Sequence, residues 1–119
     1  MAGEALFIGW GAPVRGREKQ GLQVFQESVE YWRRLQQEGR IESFEVLLLG
    51  PHGGDLNGFA ILRGDRKALA DVRFSDEFER LLARASAIIE SPGVVPAYGG
   101  EALAQQVGIF QEVADEFGG

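Results

Sequence analysis

The sequence predicts an α+β domain with a split βαββαβ arrangement, a four-stranded antiparallel sheet and one added C-terminal helix. Strand-like and helix-like segments follow one another as strand, helix, strand, strand, helix, strand, helix. The strands look apolar on both faces. The chain has 119 residues, 45% of them hydrophobic, which suits one domain. We therefore expect a single domain over residues 1–119, with its core at 4–99 and the added helix at 100–117.

The N-terminal third predicts a strand and a long helix. Apolar residues alternate along 4–11, which places Trp10 and Phe7 on opposite sides of a strand. An apolar stripe with helical spacing then runs along 17–38, with charged residues on the other side. Gly39 is suited to end this helix, because glycine readily adopts the left-handed conformation found there.

Two further strands follow at 41–49 and 56–63. The segment 50–54 between them is rich in glycine and contains a proline, which is typical of a turn. An Asn-Gly pair at 57–58 is the alternative hairpin turn, but it would leave strands of unequal length.

The second half of the core starts with two helix signals. Asp65 is a natural N-cap for a short helix, and Ser75 is a natural N-cap for a second one. A strand follows at 94–98. Pro96 lies inside this strand, and a proline cannot donate a ladder hydrogen bond, so we expect an edge position or a bulge. The final helix, 101–117, has an apolar stripe and an acidic opposite face.

The strands do not alternate cleanly between apolar and polar residues. Consecutive uncharged residues occupy 46–49, 59–62 and 94–98. Two helices cover only one face of such a sheet, so the final helix, a second subunit or both must cover the other face. We expect a homodimer that forms through the sheet face.

One stretch of the sequence supports a resemblance at the level of architecture. It runs from Gly64 and Asp65 through Leu69 and Val72-Arg73, then continues as Asp76-Glu77-Phe78-x-Arg80-Leu81-Leu82. This helix–break–helix element, with the overall plan, resembles the ferredoxin-like, dimeric α+β barrel superfamily. The resemblance implies two sheets packed face to face and a pocket between sheet and helices. Monooxygenases, haem enzymes, isomerases and ligand-binding domains share that architecture, so it implies no particular chemistry.

Composition argues against several classes of function. The formal net charge is −6, and no Lys or Arg follows Arg84, so we expect neither nucleic acid nor an anionic membrane surface as a partner. The chain has no cysteine, which excludes disulfides and thiolate chemistry. Its first residues lack the features of a signal peptide, and we expect a cytoplasmic protein. We also expect no metal site and no cofactor.

The candidate catalytic residues are His52 and Asp55. A histidine titrates near neutral pH, so His52 could act as a general base that Asp55 orients. It could also be a haem or metal ligand. A solvated loop histidine is the alternative, because a base requires a pocket around it.

The candidate ligand-binding residues are Trp10, Arg15, Phe44 and Tyr98. The aromatic residues could line an apolar pocket with a polar edge. Arg15, which comes before the first helix, could bind a carboxylate or a phosphate. We therefore expect a dimeric barrel protein that binds a small apolar molecule or acts as an enzyme. The alternative is a non-catalytic self-association or regulatory module.

Overall fold

The computed structural model of the chain describes residues 2–118, so the two ends of the predicted domain, residues 1 and 119, lie outside it. Four strands form one sheet: β1 (Glu4–Trp10), β2 (Ser43–Leu48), β3 (Gly58–Arg63) and β4 (Gly93–Tyr98). Their order is β2-β3-β1-β4, and every neighbouring pair is antiparallel. This confirms the predicted α+β class with a four-stranded antiparallel sheet. It also places Pro96 in an edge strand, where its missing N–H leaves no ladder bond unmade.

The helices are α1 (Glu18–Gln37), α2 (Arg66–Arg73), α3 (Asp76–Ile88) and α4 (Gly100–Glu116). Together with the strands they give the predicted split βαββαβ order followed by one added helix. None of the helices within residues 2–118 is long and apolar enough to cross a membrane.

The residues predicted to cap the helices do so. Gly39 has a φ of +73° just after α1, the left-handed conformation that glycine adopts without strain. The Asp65 carboxylate accepts a 2.8 Å hydrogen bond from the Ala68 N–H. The Ser75 hydroxyl accepts a 3.2 Å bond from the Phe78 N–H. The break between α2 and α3 is therefore fixed by local sequence.

The core lies between α1–α3 and one face of the sheet, which we call the inner face. Leu35 from α1, Leu62 from β3 and Val72 from α2 are its most deeply buried large side chains. The register places alternate residues of each strand on the inner face, Trp10 among them. Burial of these apolar side chains supplies the main stabilisation of the fold.

The opposite face of the sheet, the outer face, is also apolar. Phe7 and Phe59 stack there with ring centroids 5.3 Å apart. Leu47 and Val95 lie toward its two edges and are 44% and 51% exposed. Neither the helices nor the loops within residues 2–118 bury this face, so apolar surface remains exposed to water.

Helix α4 is attached at one end only. The Ala102 N–H bonds the Ala2 carbonyl at 3.0 Å, and the Ala102 side chain is completely buried. Farther along the helix, Phe110 is 75% exposed and Phe117, just past its end, is 83% exposed. The radius of gyration is 16.3 Å, against about 13.5 Å for a compact chain of this length. Helix α4 therefore projects from the domain with its apolar stripe uncovered.

Candidate functional site

A cavity of about 700 Å³ opens at one end of the molecule. It lies between the inner face of the sheet, helices α1 and α3, and the loop that joins β2 to β3. Most of its wall is aliphatic or aromatic. The principal wall residues are Ile8, Trp10, Pro13, Leu22, Phe25, Trp32, Leu48, Leu49, Phe78, Leu81, Leu82, Ala85, Ile89 and Val94.

Backbone hydrogen bonds hold the walls of the cavity in place. The Asn57 N–H bonds the Trp10 carbonyl at 2.8 Å, which ties the β2–β3 loop to the end of β1. On the other side, the Val14 N–H bonds the Ile88 carbonyl at 2.8 Å, which ties the segment before α1 to the end of α3. The β2–β3 loop and the segment before α1 are thus held in place on either side of the cavity.

Aromatic rings form one wall. The rings of Trp10 and Trp32 stack with centroids 6.3 Å apart. Phe25 meets Trp10 edge to face at 5.9 Å. These geometries are favourable for aromatic pairs, and together they present a broad, flat apolar surface.

His52 lies at the mouth of the cavity, in the β2–β3 loop. Its Nε2 is 2.7 Å from the Leu56 carbonyl oxygen, and its Nδ1 accepts a 3.3 Å bond from the Gly54 N–H. A neutral imidazole protonated at Nε2 satisfies both contacts. Gly53, with a φ of +86°, permits the turn that brings the ring back onto its own loop.

Asp55 lies in a smaller polar depression next to the cavity. Asn57, Glu90 and Ser91 line the same depression. Both ring nitrogens of His52 are engaged by backbone groups, so the orienting contact from Asp55 is not formed in this arrangement. The catalytic role of the two residues stays a prediction.

The predicted ligand-binding residues separate in space. Trp10 lines the cavity. Phe44 packs in the core against Trp32, with ring centroids 6.3 Å apart. Arg15 is exposed in the segment before α1. Tyr98 pairs with Glu4 at the far end of β1, about 20 Å from Trp10 at the rise of an extended strand.

The cavity wall also contains residues that the sequence did not single out as ligand contacts. Trp32 is only 3% exposed, and its indole Nε1 has no hydrogen-bond partner among the described residues. Ser28 interrupts the apolar stripe of α1 and donates a 2.8 Å bond to the Val24 carbonyl. That interruption, between Phe25 and Trp32, is the one sequence signal that could have identified this part of α1 as a cavity wall.

Ionisable groups are confined to the mouth. Glu18 and His52 are the ionisable side chains among the cavity-lining residues described by the structure, and both are exposed. Among residues 2–118 there is no cluster of three or more His, Cys, Asp or Glu side chains that could hold a metal ion. The interior therefore favours uncharged, apolar groups.

Comparison with known proteins identifies the fold. No family model matches the chain, and no curated protein matches it. A solved structure described as a dimeric protein of unknown function with a ferredoxin-like fold, from Bacteroides fragilis, is similar to it. That chain is 15% identical with a TM-score of 0.59, over 81% of this chain and 96% of the other.

Two further solved structures give the same result. A DABB-family protein with a ferredoxin-like fold, from Mesorhizobium loti, is 11% identical with a TM-score of 0.64, over 82% of this chain and 98% of the other. SnoaB, a cofactor-independent oxygenase from Streptomyces nogalater, is 16% identical with a TM-score of 0.57, over 86% and 98%. The chain therefore has the ferredoxin-like fold, which confirms the architectural resemblance, and no specific family is identified.

Proposed function

We propose that this protein binds a small, largely apolar molecule in the cavity at the Trp10 end of its sheet. The observation that carries the proposal is the cavity itself, about 700 Å³ with aliphatic and aromatic walls. That volume lies within the range of ligand pockets, which are typically concave, mostly apolar and fitted with a few polar groups.

The aromatic wall indicates what shape of molecule fits. Trp10 and Trp32 present stacked indole faces, and flat rings pack well against such faces. A ligand that buries roughly 200 Å² of apolar surface would gain about 5 kcal/mol from that burial, before the cost of immobilisation. Because 5 kcal/mol corresponds to a dissociation constant of about 0.2 mM before that cost, we expect an uncharged aromatic probe to bind in the millimolar range.

Catalysis within this proposal would depend on His52. Its imidazole lines the cavity and is a side chain of the type that most often serves as a general base. Its free lone pair is on Nδ1, so to act as a base the ring would first have to release the Gly54 N–H. SnoaB, described as a cofactor-independent oxygenase, shares the fold. If the bound molecule is a substrate, this similarity supports an enzyme of that general kind.

A second proposal is that two copies associate through the outer face. Phe7, Leu47, Phe59 and Val95 leave apolar surface on it, and a large exposed apolar patch is typical of an interaction site. A second copy presents the same patch, so an isologous contact pairs apolar surface with apolar surface. The Bacteroides fragilis protein of similar fold is described as dimeric. This description supports a second copy of the chain as the partner that covers the outer face.

The test of ligand binding uses 9-anthracenemethanol, an uncharged flat probe that absorbs tryptophan emission. We expect saturable quenching of the wild-type protein. Ala85→Phe places a ring in the cavity and should weaken binding at least tenfold, because Ala85 lines the wall. Ala87→Phe is the matched control, since Ala87 is exposed on the same helix and outside the wall. Equal affinity in both variants, or no quenching of the wild type, would contradict the proposal.

A further inference from the structure

The distribution of ion pairs shows one unusual segment. The chain has 12 Lys and Arg residues. Nine of these cations lie within 4.0 Å of a carboxylate among residues 2–118. The three cations outside these pairs are Arg15, Arg17 and Lys19, which we call the mouth cluster. The chain has a net charge of −6 and 18 acidic residues, so carboxylates are in excess. Cations outside the nine ion pairs are therefore unexpected.

The mouth cluster belongs to the segment 13–22, part of which lines the cavity. All three of its side chains are exposed. Residues next to them in the sequence, Pro13, Glu18, Gly21 and Leu22, line the cavity. The apolar lining is therefore adjacent in sequence to a local concentration of positive charge, although the protein as a whole is acidic.

Glu18 is the acidic residue within this segment. Both of its carboxylate oxygens lie 3.1 Å from the Gly16 N–H and accept from it, so the carboxylate is engaged by the loop backbone. It compensates one charge of the three. The segment 15–19 therefore keeps a net positive charge, which acts on an anionic group of a molecule that enters the cavity.

We infer that the ligand is an amphipathic anion, with an apolar body inside the cavity and one carboxylate held at the mouth by the mouth cluster. This rests on the proposed function, because the apolar body must occupy the cavity. The cations attract the carboxylate by charge and donate hydrogen bonds to its oxygens. The binding site thus combines an apolar interior with an anion-selective mouth.

The test compares two probes that share one ring system, anthracene-9-carboxylate and 9-anthracenemethanol, at pH 7.5 and low salt. Three exposed charge contacts of ordinary strength give about a tenfold preference for the carboxylate. We expect the variant Arg15→Gln, Arg17→Gln, Lys19→Gln to lose this preference, because it weakens binding of the carboxylate more than binding of the alcohol. The preference should also fall as salt rises from low to high concentration, because the contacts are exposed.

A matched control separates the mouth cluster from bulk charge. The variant Arg33→Gln, Lys67→Gln, Arg80→Gln removes the same charge from exposed helical ion pairs away from the cavity, and it should keep the preference. Equal binding of the two probes by the wild type would overturn the inference and leave the proposed function standing. An equal loss of preference in the control would also overturn it. If neither probe quenches tryptophan emission, the proposed function itself fails.

Discussion

The indole rings of Trp10 and Trp32 stack with centroids 6.3 Å apart and planes inclined by 22°. Trp10 is the last residue of β1, whereas Trp32 lies in the C-terminal half of α1. Their contact joins the sheet to the helix at the inner end of the cavity. The chain has just two tryptophans, and both line this cavity, so its intrinsic fluorescence reports on one site.

The first prediction uses single-tryptophan variants. Trp10→Phe leaves Trp32, which is deeply buried, and Trp32→Phe leaves Trp10, which is partly exposed. We expect Trp32 to emit at shorter wavelength and to resist acrylamide quenching, because water reaches it less. Phenylalanine is the right replacement, since truncation of a buried tryptophan to alanine costs about 3–5 kcal/mol.

Binding of 9-anthracenemethanol should quench both variants over the same range of probe concentration. Two residues that line one cavity must respond to one binding event. Quenching of one tryptophan without the other would show that the probe binds outside the cavity. Wild-type protein titrated under the same conditions is the reference.

The second prediction concerns the outer face. Leu47 lies on edge strand β2 and Val95 on edge strand β4, so the two residues bracket this face. Replacing both with lysine should convert a dimer to monomers and raise the dissociation constant at least about a hundredfold. The reason is that two buried charges cost far more free energy than the apolar packing of the interface returns. Sedimentation velocity measures this directly.

The subunit itself should tolerate these lysines, because both positions are exposed in it. The free energy of unfolding in urea should therefore change by no more than about 1 kcal/mol. Ala83→Lys with Ala87→Lys, on the exposed side of α3, adds the same charge elsewhere and should leave the dimer intact. A wild-type protein that sediments as a monomer at high micromolar concentration would rule out the association.

Much of the fold could be predicted because local signals agree with each other. Asp65 and Ser75 accept the hydrogen bonds that their positions in the sequence suggest, and Gly39 has the left-handed conformation. Strand ends were less accurate. The third strand begins at Gly58 rather than at residue 56, because the Asn57 N–H bonds the Trp10 carbonyl across the sheet end. That contact joins residues distant in sequence, and periodicity does not report on it.

The site could be predicted only in part. Period-two alternation assigns a residue to a face of the sheet, but it does not say at which end the residue lies. Trp10 and Tyr98 share the inner face, yet antiparallel pairing sets Tyr98 opposite Glu4, at the other end of β1. Trp32 lies on the apolar stripe of α1, and such a stripe predicts a position in the core. Its role in the wall depends on the open space between α1 and α3, which only the folded chain defines.

The third prediction concerns alkaline pH. Burial raises the pKa of the Tyr31 phenol above its ordinary value, and the charge of Glu77 acts in the same direction. The hydroxyl of Ser75 and the guanidinium groups of Arg34 and Arg40 oppose this, but less strongly. In the unfolded chain Tyr31 ionises at about pH 10. Below that pH both states are protonated, and the contribution of Tyr31 to stability is fully present.

As the pH rises past about 10, the unfolded state loses its proton first, so the free energy of unfolding falls until the folded state ionises too. Urea denaturation at intervals from about pH 9 to about pH 11.5 should show a steeper fall for the wild type than for Tyr31→Phe. The chain has two tyrosines, and Tyr98→Phe removes the more exposed one, so this variant should keep the wild-type slope. Parallel curves for the wild type and Tyr31→Phe would mean that the phenol ionises as easily in the folded protein as in the unfolded chain, and that burial between α1 and α3 does not hold it neutral.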